Sequence, residues 1–163
     1  MKNLANVGRS GGLFCALVLT VLLFSGSAHA ASWGGIEPFK SRRADVVKAL
    51  GEPIGESPDG VLRFNVMGGS IQVIFVNEKF AAAKKLRPDV VGTVLEIVLQ
   101  HEHSSETPES MKLAQNRLFT RNETETSLIF RNLKDGIVYT FMQGTLKTTR
   151  YTFADDQLSR ARR

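Results

Sequence analysis

The chain has 163 residues, 42% hydrophobic and 23% charged, with a net charge of +5. That length suits one domain able to build its own core, and so mild a positive charge argues against a dedicated nucleic-acid partner. Cys15 is the only cysteine, so no internal disulfide and no thiolate metal cluster can form.

Lys2 and Arg9 are followed by an apolar run from Leu13 to Phe24, and Ser27-Ala28-His29-Ala30 ends in an A-x-A site. A charged start, a hydrophobic centre and a small-residue cleavage site predict a secretory signal peptide over 1–30, cut near Ala30/Ala31. Twelve apolar residues fall short of the roughly 20 that span a bilayer. The expected mature chain, 31–163, therefore carries no transmembrane span and works in the periplasm or outside the cell. It has no cysteine, and losing Lys2 and Arg9 lowers its net charge to +3.

Ala31 to Lys40 reads as an irregular lead-in with two glycines, a proline and Trp33. Val46, Val47, Ala49 and Leu50 share a helical face, which predicts a short helix over 42–50 with Ser41 as N-cap, Gly51 at its end and Pro53 beyond. Val61–Val66 and Ile71–Val76 flank Gly68-Gly69 and predict a hairpin. Residues 78–90 are weakly helical around Ala81–Leu86, and Thr93–Gln100 predicts a third strand. After the polar break Ser104–Ser110, Met111–Arg117 predicts a second short helix. Ser127–Arg131, Ile137–Met142 and Lys147–Phe153 predict three more strands, and residues 154–163 a frayed helix or tail.

A shift of 66 residues superimposes Leu62, Phe64, Ile71 and Phe75 on Leu128, Phe130, Ile137 and Phe141. Two organisations follow: one α+β domain over 31–163, or two similar helix–three-strand halves, 31–103 and 104–163. Either gives an antiparallel sheet, or sheets, with one or two short helices on one face.

Val46-x-x-x-Leu50-Gly51-x-Pro53, on a helix before an antiparallel hairpin, resembles the helix motif of the SmpA/OmlA family, which includes the small lipoprotein of the outer-membrane β-barrel assembly machinery. Trp33-Gly34-Gly35-Ile36-Glu37-Pro38 with Ser41-Arg42-x-Ala44-Asp45-Val46 is more similar still to a group of uncharacterised secreted bacterial proteins. The resemblance implies a helix–hairpin fold and a place in the cell envelope. It implies no catalytic residue, and the lipid-anchoring cysteine of SmpA/OmlA members is replaced here by Ala30-Ala31.

His101-Glu102-His103 is the sharpest chemical feature, because two imidazoles at i and i+2 of a strand can share a metal. Further ligands would have to be carboxylates, and an ordinary solvated strand end is the simpler account. The chain lacks a G-x-S-x-G elbow and a phosphate loop, and its neighbouring carboxylates suggest surface charge. Small basic clusters, among them Lys40-Arg42-Arg43, admit peripheral contact with anionic headgroups. Trp33 either staples the lead-in to the sheet or anchors a partner.

The expected function is thus a periplasmic or secreted, non-enzymatic binding or adaptor domain without a cofactor. Its partner would be another envelope or secreted protein, and Trp33, Arg42 and Arg43 are its candidate binding residues. The alternative is a small extracytoplasmic metal-binding protein or hydrolase built on His101 and His103.

Overall fold

The computed structural model describes residues 31–162, and the expected signal segment lies outside the described residues. The fold is α+β, an eight-stranded antiparallel sheet with three short helices. Its strands are β1 (Gly55–Glu56), β2 (Leu62–Val66), β3 (Gly69–Phe75), β4 (Val94–His101), β5 (Thr120–Glu123), β6 (Leu128–Asn132), β7 (Ile137–Met142) and β8 (Thr145–Thr152). They lie in the order β1-β2-β3-β4-β8-β7-β6-β5. Each half of the chain is therefore a four-stranded meander rather than a three-stranded one. The two meanders join through their last strands, with Glu96 opposite Thr152 and Leu99 opposite Thr149.

Strand alternation decides which side chains share a face. Leu62 and Phe64 of β2 face the same side as Ile71 and Val73 of β3 and Ile97 of β4, and all five are buried. The first helix, α1 (Arg43–Leu50), lays Val46 on this cluster, and Ile36 of the lead-in completes it. On the same face of the second meander, Phe130 and Phe141 meet edge to face and bury Leu113 and Leu146 with them. The residues matched by the shift of 66 all lie on this covered face.

A further core closes the end of the sheet where β3 stops. There α2 (Glu78–Lys84) and α3 (Asp155–Ala161) pack Ala81, Leu86 and Ala161 against Val76 and Val90. Asn77 caps α2 by accepting the Phe80 N–H. A bridge between Leu86 and Arg162 holds the C-terminal segment in place, where fraying was expected.

Local rules explain the other differences. The helix expected over 42–50 starts at Arg43, and Ser41 does not cap it. The Ser41 hydroxyl accepts the Glu37 N–H instead, while the Asp45 carboxylate reaches back to the Arg42 N–H at 2.8 Å. The helix expected at Met111–Arg117 is only a 3-10 turn over Leu113–Gln115, because Leu113 is drawn onto the second-meander core. Strands β1 and β5 have no apolar alternation to betray them. Among the described residues no helix is long and apolar enough to cross a membrane.

Candidate binding surface

The opposite face of the sheet has a different composition. Register places Arg63, Gln72, Gln100, Thr148, Arg150 and Arg131 there, in rows running from β2 across to β6. Arg63, Gln100, Arg131 and Arg150 are exposed. Near the middle, the Arg150 guanidinium meets the Glu96 carboxylate at 3.2 Å. Burial pushes the Glu96 carboxyl above the usual carboxylate range, and the Arg150 charge opposes that shift. The same register sets Ile74, Val98, Val138 and Ile129 among these residues, so the face mixes polar and aliphatic side chains, and three arginines against one carboxylate make it net cationic. Such a surface can hydrogen-bond an extended or planar partner without first being unpacked.

The covered face carries three further perturbed groups. His101, the last residue of β4, places Nε2 2.9 Å from the Thr149 hydroxyl on β8. Tyr139 on β7 lies opposite Thr149, and Tyr151 lies two residues further along β8. Burial raises both phenols, and Tyr151 is raised further by the charge of Tyr139. A histidine on a hydroxyl is half of a nucleophile–base pair. Thr149, however, is only 3% exposed, so a substrate carbonyl has no approach to its oxygen. The contact instead anchors the imidazole at the seam between the two meanders.

Burial also holds the His101 pKa below the ordinary histidine value of 6.5. Unfolding therefore takes up a proton in mild acid. The stability this group contributes is present above the ordinary value and is lost as the pH falls through the folded one. His101→Gln is expected to flatten the loss of thermal stability between about pH 7.5 and about pH 5. Paired melting curves of the two proteins at both pH values check this, and equal acid dependence would refute it.

The sequence-predicted residues are scattered rather than convergent. Trp33 is partly buried against the first cluster, in a tight turn where its N–H and C=O pair with Ile36 at 3.1 and 2.9 Å. Gly34 and Gly35 both take positive φ, 58° and 79°, which is what that two-residue turn demands. Arg42 donates to the carbonyls of Asp89 and Val91, at 2.8 and 3.3 Å. Arg43 grips both oxygens of Glu56 at 2.8 and 2.7 Å. Both guanidiniums thus have internal partners and fasten α1 to its surroundings.

His103 is exposed in the bend after β4, and among the described residues no three His, Cys, Asp or Glu side chains come together as a metal would need. A depression of about 450 Å³ beside α1 is lined by Glu37, Asp45, Lys40 and Lys48. Its carboxylates are already engaged, Glu37 with Lys40 and Asp45 with the Arg42 N–H. No family model, curated protein or solved structure matches this chain.

An antiparallel sheet with one uncovered face is what the strand pattern implies, but the residues of that face are not singled out by any motif, although their signal is present. It is the register opposite the one that built the core: Arg63 and Asn65 within Leu62–Val66, Gln72 with Ile74 within Ile71–Val76, and Thr148 and Arg150 within β8.

Proposed function

We propose that this protein is a periplasmic or secreted binding domain, without catalytic activity, that engages an envelope component through the open face of its sheet. The observation that carries this reading is the sheet's division into one face buried under α1 and the 104–119 segment and one arginine-bearing face, mixed polar and aliphatic, that neither of them covers. Antiparallel sheets solvated on one side offer preformed docking platforms with little ordering cost on binding. The secretory leader at 1–30 and the SmpA/OmlA-like helix and hairpin favour the envelope as its place of work.

Photo-crosslinking in the native envelope tests the reading. A crosslinking residue at Gln72 or Gln100 is expected to give an adduct of one defined mass. The same residue at Lys48, exposed on α1, is expected to give none. Reversing Arg131 or Arg150 to glutamate is expected to lower the adduct yield. Silence at both sheet positions, or the same adduct at Lys48, would sink the proposal.

A further inference from the structure

The sheet has two edges, and they are treated differently. Strand β1 is two residues long, and Arg43 of α1 clamps its Glu56. Strand β5, Thr120-Arg121-Asn122-Glu123, ends the other side, and all four of its residues are exposed. An uncovered edge presents its outward N–H and C=O groups as a template for another strand.

Which groups face outward follows from the turn between β5 and β6. The Thr124 N–H donates to Ser127 O at 2.8 Å, so that pair is a hydrogen-bonded one. Alternation makes Asn122 opposite Ile129 and Thr120 opposite Arg131 hydrogen-bonded as well. The backbone groups of Arg121 and Glu123 therefore point away from the sheet. Their side chains lie on one face, joined by an Arg121 Nη2–Glu123 Oε2 contact of 2.7 Å.

The geometry points to β5 as a self-pairing edge: two copies of this chain join β5 to β5, antiparallel, about a two-fold axis through Asn122. Hydrogen-bond parity requires outward residues to meet outward residues, which leaves only a few registers. Centring on Arg121 sets arginine against arginine, and centring on Glu123 sets glutamate against glutamate. Centring on Asn122 places Arg121 of each copy opposite Glu123 of the other, with reciprocal backbone hydrogen bonds at both pairs. The four charges then alternate in sign around the axis, and the two Asn122 amides face each other on the open side. Charges on an edge strand usually repel other strands. Here opposite signs at i and i+2 instead select one partner, a second copy, in one register. Joined in this way, the two sheets become one, and their cationic faces become continuous.

Sedimentation equilibrium of the protein purified from the full-chain gene, at low salt and up to about 1 mM, tests the pairing. The weight-average mass is expected to rise with concentration towards twice the monomer mass. Glu123→Arg sets arginines against each other and is expected to weaken association about tenfold or more. The swap R121E/E123R restores opposite signs and is expected to recover it. Arg121→Pro removes an outward N–H that bonds nothing in β6, so it is expected to abolish association with little change in melting temperature.

With Cys15→Ser, an Asn122→Cys variant is expected to form an intermolecular disulfide, since facing Cα atoms of such a pair stand about 4.5 Å apart. Asn65→Cys, exposed on β2, is the control. A wild type that stays monomeric throughout would overturn the proposal. So would association that Glu123→Arg leaves unchanged, or oxidation of Asn65→Cys as fast as Asn122→Cys.

Discussion

Replacing Gly69 by alanine is expected to cost about 3 kcal/mol or more, at the top of the range for overpacking, and to lower the melting temperature by more than about 10 °C. A Cβ on Gly69 would stand 1.8 Å from the Gln100 carbonyl oxygen and 3.0 Å from its carbon. Those atoms are backbone of β4, held on one side by β3 and on the other by β8, so they cannot step aside without opening the centre of the sheet. The neighbouring Gly68 is the built-in control. Its φ is +84° but open space surrounds the missing Cβ. Gly68→Ala is therefore expected to cost only the left-handed backbone penalty, about 1–2 kcal/mol. Thermal melts followed by circular dichroism rank the two variants. Equal losses at the two positions would show that β4 yields, and that the seam is softer than its register implies.

Phe141→Ala and Phe64→Ala are each expected to remove about 3–5 kcal/mol, because both side chains are almost wholly buried, at 1% and 2% exposure. They sit in different clusters, Phe141 against Phe130 in the second meander and Phe64 against Ile71 in the first. The informative result is the shape of the transition. If the β4–β8 ladder makes one cooperative unit, each variant unfolds in a single step and the losses add within about 0.5 kcal/mol. The double variant would then lose about 6–10 kcal/mol, most of what a domain of this size possesses, and be largely unfolded at room temperature. Denaturant unfolding followed by both tryptophan fluorescence and circular dichroism reads this out, Trp33 reporting on the first cluster. Two separated transitions in Phe141→Ala would instead make the halves 31–103 and 104–163 independent domains.

The α+β class was legible because burial writes its period into the sequence. Leu62, Phe64, Ile71, Val73 and Ile97 repeat at every second residue, and Ile137–Met142 emerges with the bounds expected for it. Strands β1 and β5 were not legible, since neither buries a side chain: Gly55–Glu56 and Thr120–Glu123 belong to the sheet chiefly through their backbones. The helix expected at Met111–Arg117 shows the opposite failure. Its apolar residues suit a helical face, but Leu113 is needed on the second core, and tertiary burial outweighs so short a local preference.

The site was less legible than the fold. His101 and His103 share a side only if the strand continues, and β4 ends at His101, which leaves His103 in a bend. Arg42 and Arg43 read in sequence as candidate binding residues of a basic cluster, and their acceptors are distant along the chain, Asp89 and Val91 for one and Glu56 for the other. No local pattern announces such pairings. The strand neighbours Arg63 and Arg150 are likewise brought to one face only by register across β2, β3, β4 and β8.

The junction of β4 with β8 also sets an order of events. Strand β4 pairs with β3 early in the chain, but its other flank waits for β8, which comes after every other described strand. Until then Val94–Leu99, rich in β-branched and aliphatic residues, stands as a bare hydrophobic edge. Non-local pairing of this kind is slow, and an unfinished chain with such an edge is prone to strand exchange with its neighbours. A nascent or truncated form ending before Thr145 is thus expected to aggregate more readily than the full chain, and pairing of β8 with β4 is expected to end that exposure.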